Sequence, residues 1–411
     1  MVGTLGSYAI SAVGLTNQPR LIVLALFMAL NHGITAVISR RFGQKDREGA
    51  NRVLRQVLLL AFGTVVILSL LGMPAAQPLL RFAGAKDDTL PYAVDYFRIL
   101  LIGIPAVVLT MNINAAQRGV GNTKIAMRTN LMANLVNCCI NYLLINGHFG
   151  FPALGVRGAA IATVIGNYVG FAIAVRSLFR RDGFLHLDFR RSFKPDPEDL
   201  RSIFKVSGSA CLEQVFLRIG FFLYAKIVAE LGTDDYATHQ IGMHILSLSF
   251  CFGDGLTMAA SALVGRSLGQ KRPDLAVMYG KCAQRVGFCI GLTLAVLFVT
   301  FARPIYMAFS RDENIITKGI PIIYMCAIVT AGQISQVIFS GCLRGAGDTL
   351  YVAITSLFSI ALLRPAASYL LCYTAGLGLY GAWYGVIIDQ YLRLILNGIR
   401  FSRGKWTKIE V

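Results

Sequence analysis

Two stretches of sequence, AVISRRFGQK at residues 36–45 and ALVGRSLGQK at residues 262–271, repeat one pattern at an offset of 226. A second pair, RGVGNT at residues 118–123 and RGAGDT at residues 344–349, has the same offset. Two separate matches at one offset indicate an internal duplication, so the chain is expected to consist of two related halves.

The composition predicts that both halves lie in a membrane. Of the 411 residues, 55% are hydrophobic and 15% are charged, and the mean hydropathy is +0.61, whereas a soluble domain has about 25% charged residues. Apolar stretches recur at lengths that suit helices crossing a hydrocarbon core of about 30 Å. We predict eleven spanning helices, at residues 8–38, 50–80, 90–117, 124–146, 157–179, 200–230, 235–265, 273–302, 315–343, 349–373 and 380–401.

The net charge of +18 follows the same topology. When the connections are assigned to alternate faces, 27 of the 39 Lys and Arg residues lie on one face, nine on the other, and three inside spans. The positive-inside rule makes the basic face cytoplasmic. The basic excess is therefore explained by membrane orientation, and we expect no nucleic-acid partner.

The duplication predicts two similar lobes. A third pair, LGVRGAA from Leu154 and LGLYGAW from Leu377, extends it at an offset of 223, as a deletion of three residues would produce. A full copy has six helices, an even number, so the copies are parallel repeats, an arrangement found in secondary transporters with the substrate site between the halves. We predict an all-α polytopic membrane protein with an N-terminal lobe at 1–181, a polar linker at 182–199 and a C-terminal lobe at 200–411.

The cysteines and histidines give no sign of a cofactor. All nine cysteines lie within or next to predicted spans without a CxxC pair, and the five histidines are scattered. Neither disulfides nor a metal site are expected. A membrane-embedded enzyme would need His or carboxylate side chains at catalytic spacing, which the sequence does not show. We therefore expect a protein that has no cofactor and is not an enzyme. We also expect a monomer.

Glu213, in SACLEQVFLRIG, is the first candidate for a functional charge. An ionisable residue inside a span costs several kcal/mol unless it pairs or faces water. Glu213 follows Lys205 by eight residues, which places it about 12 Å along the helix, near the midplane. Its role is either coupling-ion or substrate binding, or a structural pairing with Arg218 or with another helix.

Asp254 is a second candidate, lying between Gly253 and Gly255 in FCFGDGLTMAA. Two glycines can let a helix bend, and the backbone groups freed by the bend would need other hydrogen-bond partners. Asp254 is expected to serve an ion or proton site, or else to lie at a bend satisfied by polar neighbours.

Three further charges lie in the last two spans. Asp389 and Arg393 are four residues apart, the spacing of an ion pair within one helix, and they form either a structural pair or part of a gate or cavity wall. Arg364 must find a carboxylate or a wet cavity, and Glu213, Asp254 and Asp389 are the available acids. Arg364 could also attract an anionic substrate.

Buried amides complete the set of candidates. Asn137 and Asn141 are four residues apart, Gln333 and Gln336 are three apart, and Asn31 lies near the middle of the first span. Such amides either hold helices together or line a substrate cavity.

The repeated blocks resemble those of a known transporter family. The stretches LGSYAISAVGL, SRRFGQKDREGANRVL, QRGVGNTK, LGTDDYATHQIG, MAASALVGRSLGQKRPDLA, LRGAGDT and RFSRGKW are similar to the multidrug and toxic compound extrusion (MATE) transporters along almost the whole chain. The resemblance implies a bundle of twelve helices in two lobes, a central cavity open to one side at a time, and export of amphipathic drugs or organic cations in exchange for Na⁺ or H⁺. Its partners would be small amphipathic substrates and the lipid bilayer of the cell membrane.

Two other transporter classes share features with this sequence. A lipid or lipid-linked oligosaccharide flippase of the same superfamily is the alternative function. The segment FGQKDREG also suggests a major-facilitator loop, but Asp46 follows Gly43 by three residues where that pattern needs four. The second copy keeps GQK without an Asp-Arg pair, so we discount that class.

The offset of 226 also predicts a helix missing from the first copy. In the second copy, a full helix from Leu200 precedes Gly232. The counterpart of Gly232 in the first copy is Gly6, which follows Met1 by only five residues and leaves no room for such a helix. Eleven helices would place the termini on opposite faces, and one more helix would return both to the cytoplasm. We expect a truncated chain or a mis-started gene model that transports poorly in this form.

Overall fold

Helices make up nearly all of the chain that the computed structural model describes, which comprises residues 7–82, 89–179, 183–187 and 197–409. No strand occurs among these residues. The helices described there are α1 (Ser7–Gly43), α2 (Arg47–Phe82), α3 (Leu90–Gly119), α4 (Thr123–Asn146), α5 (Gly155–Leu178), α6 (Pro197–Ala229), α7 (Thr233–Gly269), α8 (Pro273–Thr300), α9 (Ala302–Phe309), α10 (Glu313–Gly345), α11 (Thr349–Thr374) and α12 (Gly378–Ser402), with short 3-10 turns at His148–Gly150 and Lys405–Lys408.

The eleven long helices match the eleven predicted spans to within five residues at each end. The short helix α9 was not predicted, because an eight-residue helix gives no span signal and its sequence was assigned to a connection. α9 is amphipathic: Ala302 and Tyr306, four residues apart, are buried, while Met307 is exposed. The Tyr306 hydroxyl donates a hydrogen bond to the carbonyl oxygen of Thr238 at 2.9 Å, which fixes α9 against α7.

Eight of the described helices are long and apolar enough to cross a membrane, namely α1, α2, α3, α5, α7, α8, α10 and α11. The remaining long helices, α4, α6 and α12, have 24, 33 and 25 residues. Their mean hydropathy is lowered by polar side chains within the span, such as Asn137 in α4, Glu213 in α6 and Asp389 in α12. These three helices contain five of the ten predicted site residues, namely Asn137, Asn141, Glu213, Asp389 and Arg393. With eight candidate spans among the described helices, the chain is a multi-pass membrane protein.

The chain divides into two compact units, Met1–Ile203 and Phe204–Val411. The boundary falls within the first turns of α6, shortly after the predicted linker at residues 182–199. Most of that linker lies outside the described residues, and so do residues 1–6, on which the predicted loss of a first helix depends.

The described start of the linker, residues 183–187, packs on the beginning of α2 in the N-terminal unit. Arg47 donates its Nε to the carbonyl oxygen of Phe184 at 3.1 Å. Asn51 donates to the same oxygen at 3.2 Å and accepts the backbone N–H of His186 at 2.7 Å. These bonds make residues 183–187 part of the N-terminal unit.

The N-terminal unit is built around α3, which packs against α1, α2 and α5, while α4 packs along α5. Glycines make the α4–α5 approach close. A Cβ atom on Gly166 would lie 2.6 Å from the carbonyl oxygen of Ala133, and one on Gly170 would lie 3.2 Å from the Cβ of Ala133. Small residues at helix interfaces in membranes let backbones approach in this way.

The C-terminal unit is built around α10, which packs against α7, α8 and α12. In the most apolar 18-residue window of α10, 72% of residues are buried. Gly341 and Gly345 form a GxxxG pair against α7: an added Cβ would lie 2.4 Å from Cγ2 of Thr257 and 2.3 Å from the carbonyl oxygen of Ser261, respectively. Because Arg344 adjoins Gly345, this close packing also fixes where the Arg344 side chain begins.

Helix α11 is wound in π geometry over Leu357–Leu363 and Leu370–Thr374. The backbone N–H of Arg364 bonds to the carbonyl oxygen of Ser359, five residues earlier. Pro365 follows and supplies no N–H, which removes a bond from the regular ladder. Single π turns inside helices occur frequently at functional sites, and here they bracket a buried arginine.

We expect Gly345→Ala to destabilise the C-terminal unit. A Cβ at this position would overlap the backbone of α7, and overpacking of this kind costs about 1–3 kcal/mol. Thermal unfolding of the purified protein in detergent, followed by the fluorescence of Trp383 and Trp406, should show a lower midpoint. Gly208→Ala is the matched control, because no atom lies within 4 Å of the Cβ that it would add. Equal midpoints for the two variants would contradict the role of this contact.

Candidate functional site: buried charges of the C-terminal unit

Glu213 and Arg344 form a buried ion pair between α6 and α10. Arg344 Nη2 lies 2.5 Å from Glu213 Oε1, and Arg344 Nε lies 3.1 Å from Oε2. Ser356 on α11 contributes its Oγ at 3.3 Å from Oε1. Glu213 is 2% exposed. Parallel guanidinium–carboxylate bonds of this kind are among the strongest and most directional in proteins, so the pair ties three helices together.

The sequence left open whether Glu213 pairs with Arg218 or with a residue of another helix. The structure pairs it with Arg344, on another helix. Arg218 is exposed, whereas Arg344 lies in the last turn of α10, which was assigned to a cytoplasmic connection. The sequence did contain a signal for Arg344. It is the first residue of the repeated RGxGxT block, and its counterpart Arg118 also lies at the end of a central helix.

Arg364, Asp389 and Arg393 form a second buried group, between α11 and α12. Arg364 donates Nη2 and Nε to Asp389 Oδ2, the latter at 3.0 Å. Arg393 donates Nη2 to the same oxygen at 3.3 Å and approaches Oδ1 with its Nε at 3.2 Å, without hydrogen-bond geometry. All three side chains are buried. Two guanidinium groups therefore share one carboxylate, and the group carries an excess positive charge.

Aromatic rings from α6 cover Arg364. Its Cζ atom lies 5.0 Å from the ring centroid of Phe221 and 5.7 Å from that of Tyr224. A cation over an aromatic face gains electrostatic stabilisation from the ring. This contact partly offsets the desolvation of Arg364, and it connects α6 to the charged group on α11 and α12.

The two groups of charges act on each other. Glu213 and Arg393 interact electrostatically, which is a weaker link than the ion pairs within each group. Asp254, on α7, has an exposed side chain and interacts electrostatically with Arg344. Around Asp254, α7 is continuous through Gly253 and Gly255. The structure thus brings Glu213, Asp254, Asp389, Arg364 and Arg393 into one network.

The predicted amides in α4 join helices of the N-terminal unit. Asn141 donates Nδ2 to Asn137 Oδ1 at 3.0 Å, and Asn137 donates Nδ2 to Thr163 Oγ1 on α5 at 3.2 Å. Asn31 on α1 is buried, and its Oδ1 has no hydrogen-bond partner among the described residues.

The predicted amides in α10 differ from each other. Gln336 donates Nε2 to Ser340 Oγ at 2.9 Å, and Asn397 on α12 donates to the same oxygen at 2.9 Å. Gln333 is fully buried, and neither of its amide atoms has a hydrogen-bond partner in the described part of the chain. Gln336 therefore helps to hold α10 against α12, whereas Gln333 has unused hydrogen-bonding capacity.

No three His, Cys, Asp or Glu side chains lie close enough to hold a metal ion in the described ranges. The chemistry of the network is instead that of paired ions: three carboxylates and three guanidinium groups on α6, α7, α10, α11 and α12. Such a network can bind, release or exchange a small ion, because each carboxylate can take a proton or a cation in place of an arginine.

Comparison with known proteins identifies the protein family. The family model MatE matches residues 1–143 and 209–370. The chain is a MATE family transporter. Among curated proteins it is 30% identical over 418 residues to "Probable multidrug resistance protein NorM" of Thermotoga maritima, with 99% of this chain and 88% of that protein covered. It is 28% identical over 413 residues to "Uncharacterized transporter YisQ" of Bacillus subtilis, with 99% and 89% covered.

A solved structure supports the same assignment. This MATE transporter is similar, with a TM-score of 0.90 and 25% identity, to the outward-facing conformation of a multidrug resistance MATE family transporter. The similarity covers 97% of this chain and 89% of that one. The resemblance on which the sequence prediction rested is confirmed, and so is the all-α polytopic fold.

We expect Asp389→Asn to destabilise this MATE transporter strongly. It would leave two buried guanidinium groups without a counter-charge, and removing one partner of a buried ion pair costs about 3–5 kcal/mol. The apparent melting temperature in detergent should fall markedly. Asp274→Asn should change it little, because Asp274 and its partner Arg272 are 61% and 56% exposed. A small effect of Asp389→Asn would mean that the two arginines are solvated rather than buried.

Proposed function

We propose that this MATE transporter exports amphipathic drugs or organic cations in exchange for Na⁺ or H⁺, as a monomer, by alternating access. Support comes from the family, from a relative named a probable multidrug resistance protein that this chain covers to 88%, and from Asp254 and Arg364 inside helices that are long and apolar enough to cross a membrane. Ionisable residues in such positions mark ion and substrate pathways in membrane proteins.

The observation that carries the proposal is the state of Glu213. This carboxylate is buried within the 33-residue helix α6, and Arg344 and Ser356 engage both of its oxygen atoms. A proton or a Na⁺ ion can bind there only if Arg344 withdraws. The coupling ion and Arg344 therefore compete for the same carboxylate, and such competition is what an exchanger requires.

Asp254 offers Arg344 a second partner. Because Arg344 interacts electrostatically with Asp254, an arginine displaced from Glu213 remains near a negative charge. We propose that Arg344 alternates between the two acids, and that the coupling ion occupies whichever acid is vacated. An ion shifts the populations of the two conformations only if it binds one of them more tightly than the other. Glu213 is buried and Asp254 is exposed, so the two acids offer the ion different environments.

Purified protein in liposomes tests this proposal when Na⁺ and H⁺ gradients are imposed separately. We expect accumulation of a fluorescent organic cation that depends on one of the two gradients. If a broad panel of dyes and drugs is not moved while a lipid-linked sugar crosses the bilayer, the flippase alternative replaces the drug-export proposal.

Glu213→Gln should slow gradient-driven transport at least tenfold, because an amide cannot take up and release a proton and has no negative charge with which to hold a cation. Glu313→Gln is the matched control. Because Glu313 forms an exposed pair with Arg303, this variant should transport at the wild-type rate. A double variant, Glu213→Gln with Arg344→Gln, separates coupling from structure. It removes both charges and should recover stability without recovering transport. Transport at the wild-type rate in the double variant would show that Glu213 only supports the fold.

A further inference from the structure

Three buried ring systems follow one another from Arg364: Tyr224, His239 and Trp383. The rings of Tyr224 and His239 have centroids 5.3 Å apart, and those of His239 and Trp383 are 5.6 Å apart. Tyr224 also lies under the Arg364 guanidinium. Together with Asp389 and Arg393, these residues are called the Arg364 cluster below.

The rings of the Arg364 cluster contain unused hydrogen-bonding groups. Tyr224 Oη, His239 Nδ1 and Trp383 Nε1 have no hydrogen-bond partner among the described residues, although all three side chains are at most 3% exposed. The indole N–H can only donate. Buried donors in proteins are nearly always satisfied, by protein, water or a bound ligand.

The cluster also lacks negative charge. The described buried acids are Glu213, Asp348 and Asp389, and each is already held by an arginine. Asp389 is shared by two. Within the cluster, two guanidinium groups thus share one carboxylate, and the further acid that acts on Arg393, Glu213, is held by Arg344. A buried charge that is only partly compensated is costly.

We propose that the Arg364 cluster binds a monovalent anion, either a free halide or the acidic group of an amphipathic substrate. An anion supplies the missing negative charge and accepts hydrogen bonds from the unsatisfied donors. Water would satisfy the donors and leave the excess charge, while a cation would add a third positive charge beside two guanidinium groups. The surrounding rings suit an anion whose carboxylate or sulfonate is attached to an aromatic body.

The substrate form of this proposal rests on the proposed export function, whereas the halide form does not. Binding is therefore measured on the purified protein without any ion gradient, so that failure of transport and failure of anion binding remain distinguishable. In the substrate form, the exporter would take amphipathic molecules that carry an acidic group, in addition to or instead of organic cations.

Trp383 provides the reporter for the first measurement. The chain has two tryptophans, so a Trp406→Phe background leaves Trp383 as the only indole. Bromide quenches indole fluorescence on contact. With ionic strength held constant by sodium sulfate, we expect a saturable quenching component in addition to linear collisional quenching. Strictly linear quenching would count against a halide site.

Arg393→Gln in that background should weaken saturable binding at least tenfold, because it removes the excess positive charge and leaves Arg364 paired with Asp389. Arg400→Gln is the matched control: it lies on the same helix, pairs with Asp348 at 2.8 Å and covers the ring of Tyr351. It should bind within twofold of the parent. Arg393→Lys, which keeps the charge, should retain binding and shows that loss in Arg393→Gln is not a folding defect.

The source of the anion is decided by competition. A naphthalene carboxylate and its uncharged amide are titrated against the same protein. Protection of Trp383 from bromide by the carboxylate but not by the amide supports the substrate form, and saturable bromide binding without such competition supports the free halide. If neither ligand binds saturably, or if both bind equally well to Arg393→Gln, the proposal is wrong.

Discussion

Charge held out of water must be compensated, and this requirement determines how the helices of the C-terminal unit face one another. Glu213 needs Arg344, which fixes the rotation of α6 against α10. Asp389 needs Arg364, which fixes α12 against α11. Leaving any of these partners unpaired would cost several kcal/mol, so arrangements of the helices that separate the partners are disfavoured.

Close backbone packing fixes the positions of the residues that carry these paired charges. Gly345 brings the end of α10 against the backbone of α7, and Arg344 extends from the adjoining residue. In the first copy Gly119 plays the corresponding part, since an added Cβ would lie 3.2 Å from Ile38 on α1. The two units share this packing but differ in chemistry: Arg344 is held by Glu213, whereas Arg118 Nε has no hydrogen-bond partner in the described residues.

The sequence predicted the helices well because the length of an apolar run is a local property. It also identified every charge of the network except Arg344. What it could not supply was the pairing, because the partner of a buried charge depends on the rotation of each helix about its axis and on which helices are neighbours. Arg364 had three acids available in the sequence, and only packing selects Asp389. The helix α9 was missed because its eight residues are set by a contact with α7 rather than by their own hydropathy.

Gly166 and Gly170, which bring α5 close to α4, acquire a further meaning from the duplication. At the offset of 223 they occupy the places of Asp389 and Arg393. The same pair of helices is thus joined by bare backbone in one copy and by ions in the other. The packing of this pair of helices therefore does not require charges at these two positions. The first copy serves as an internal reference for the architecture by itself, and the ions of the second copy are a departure from it that packing does not explain.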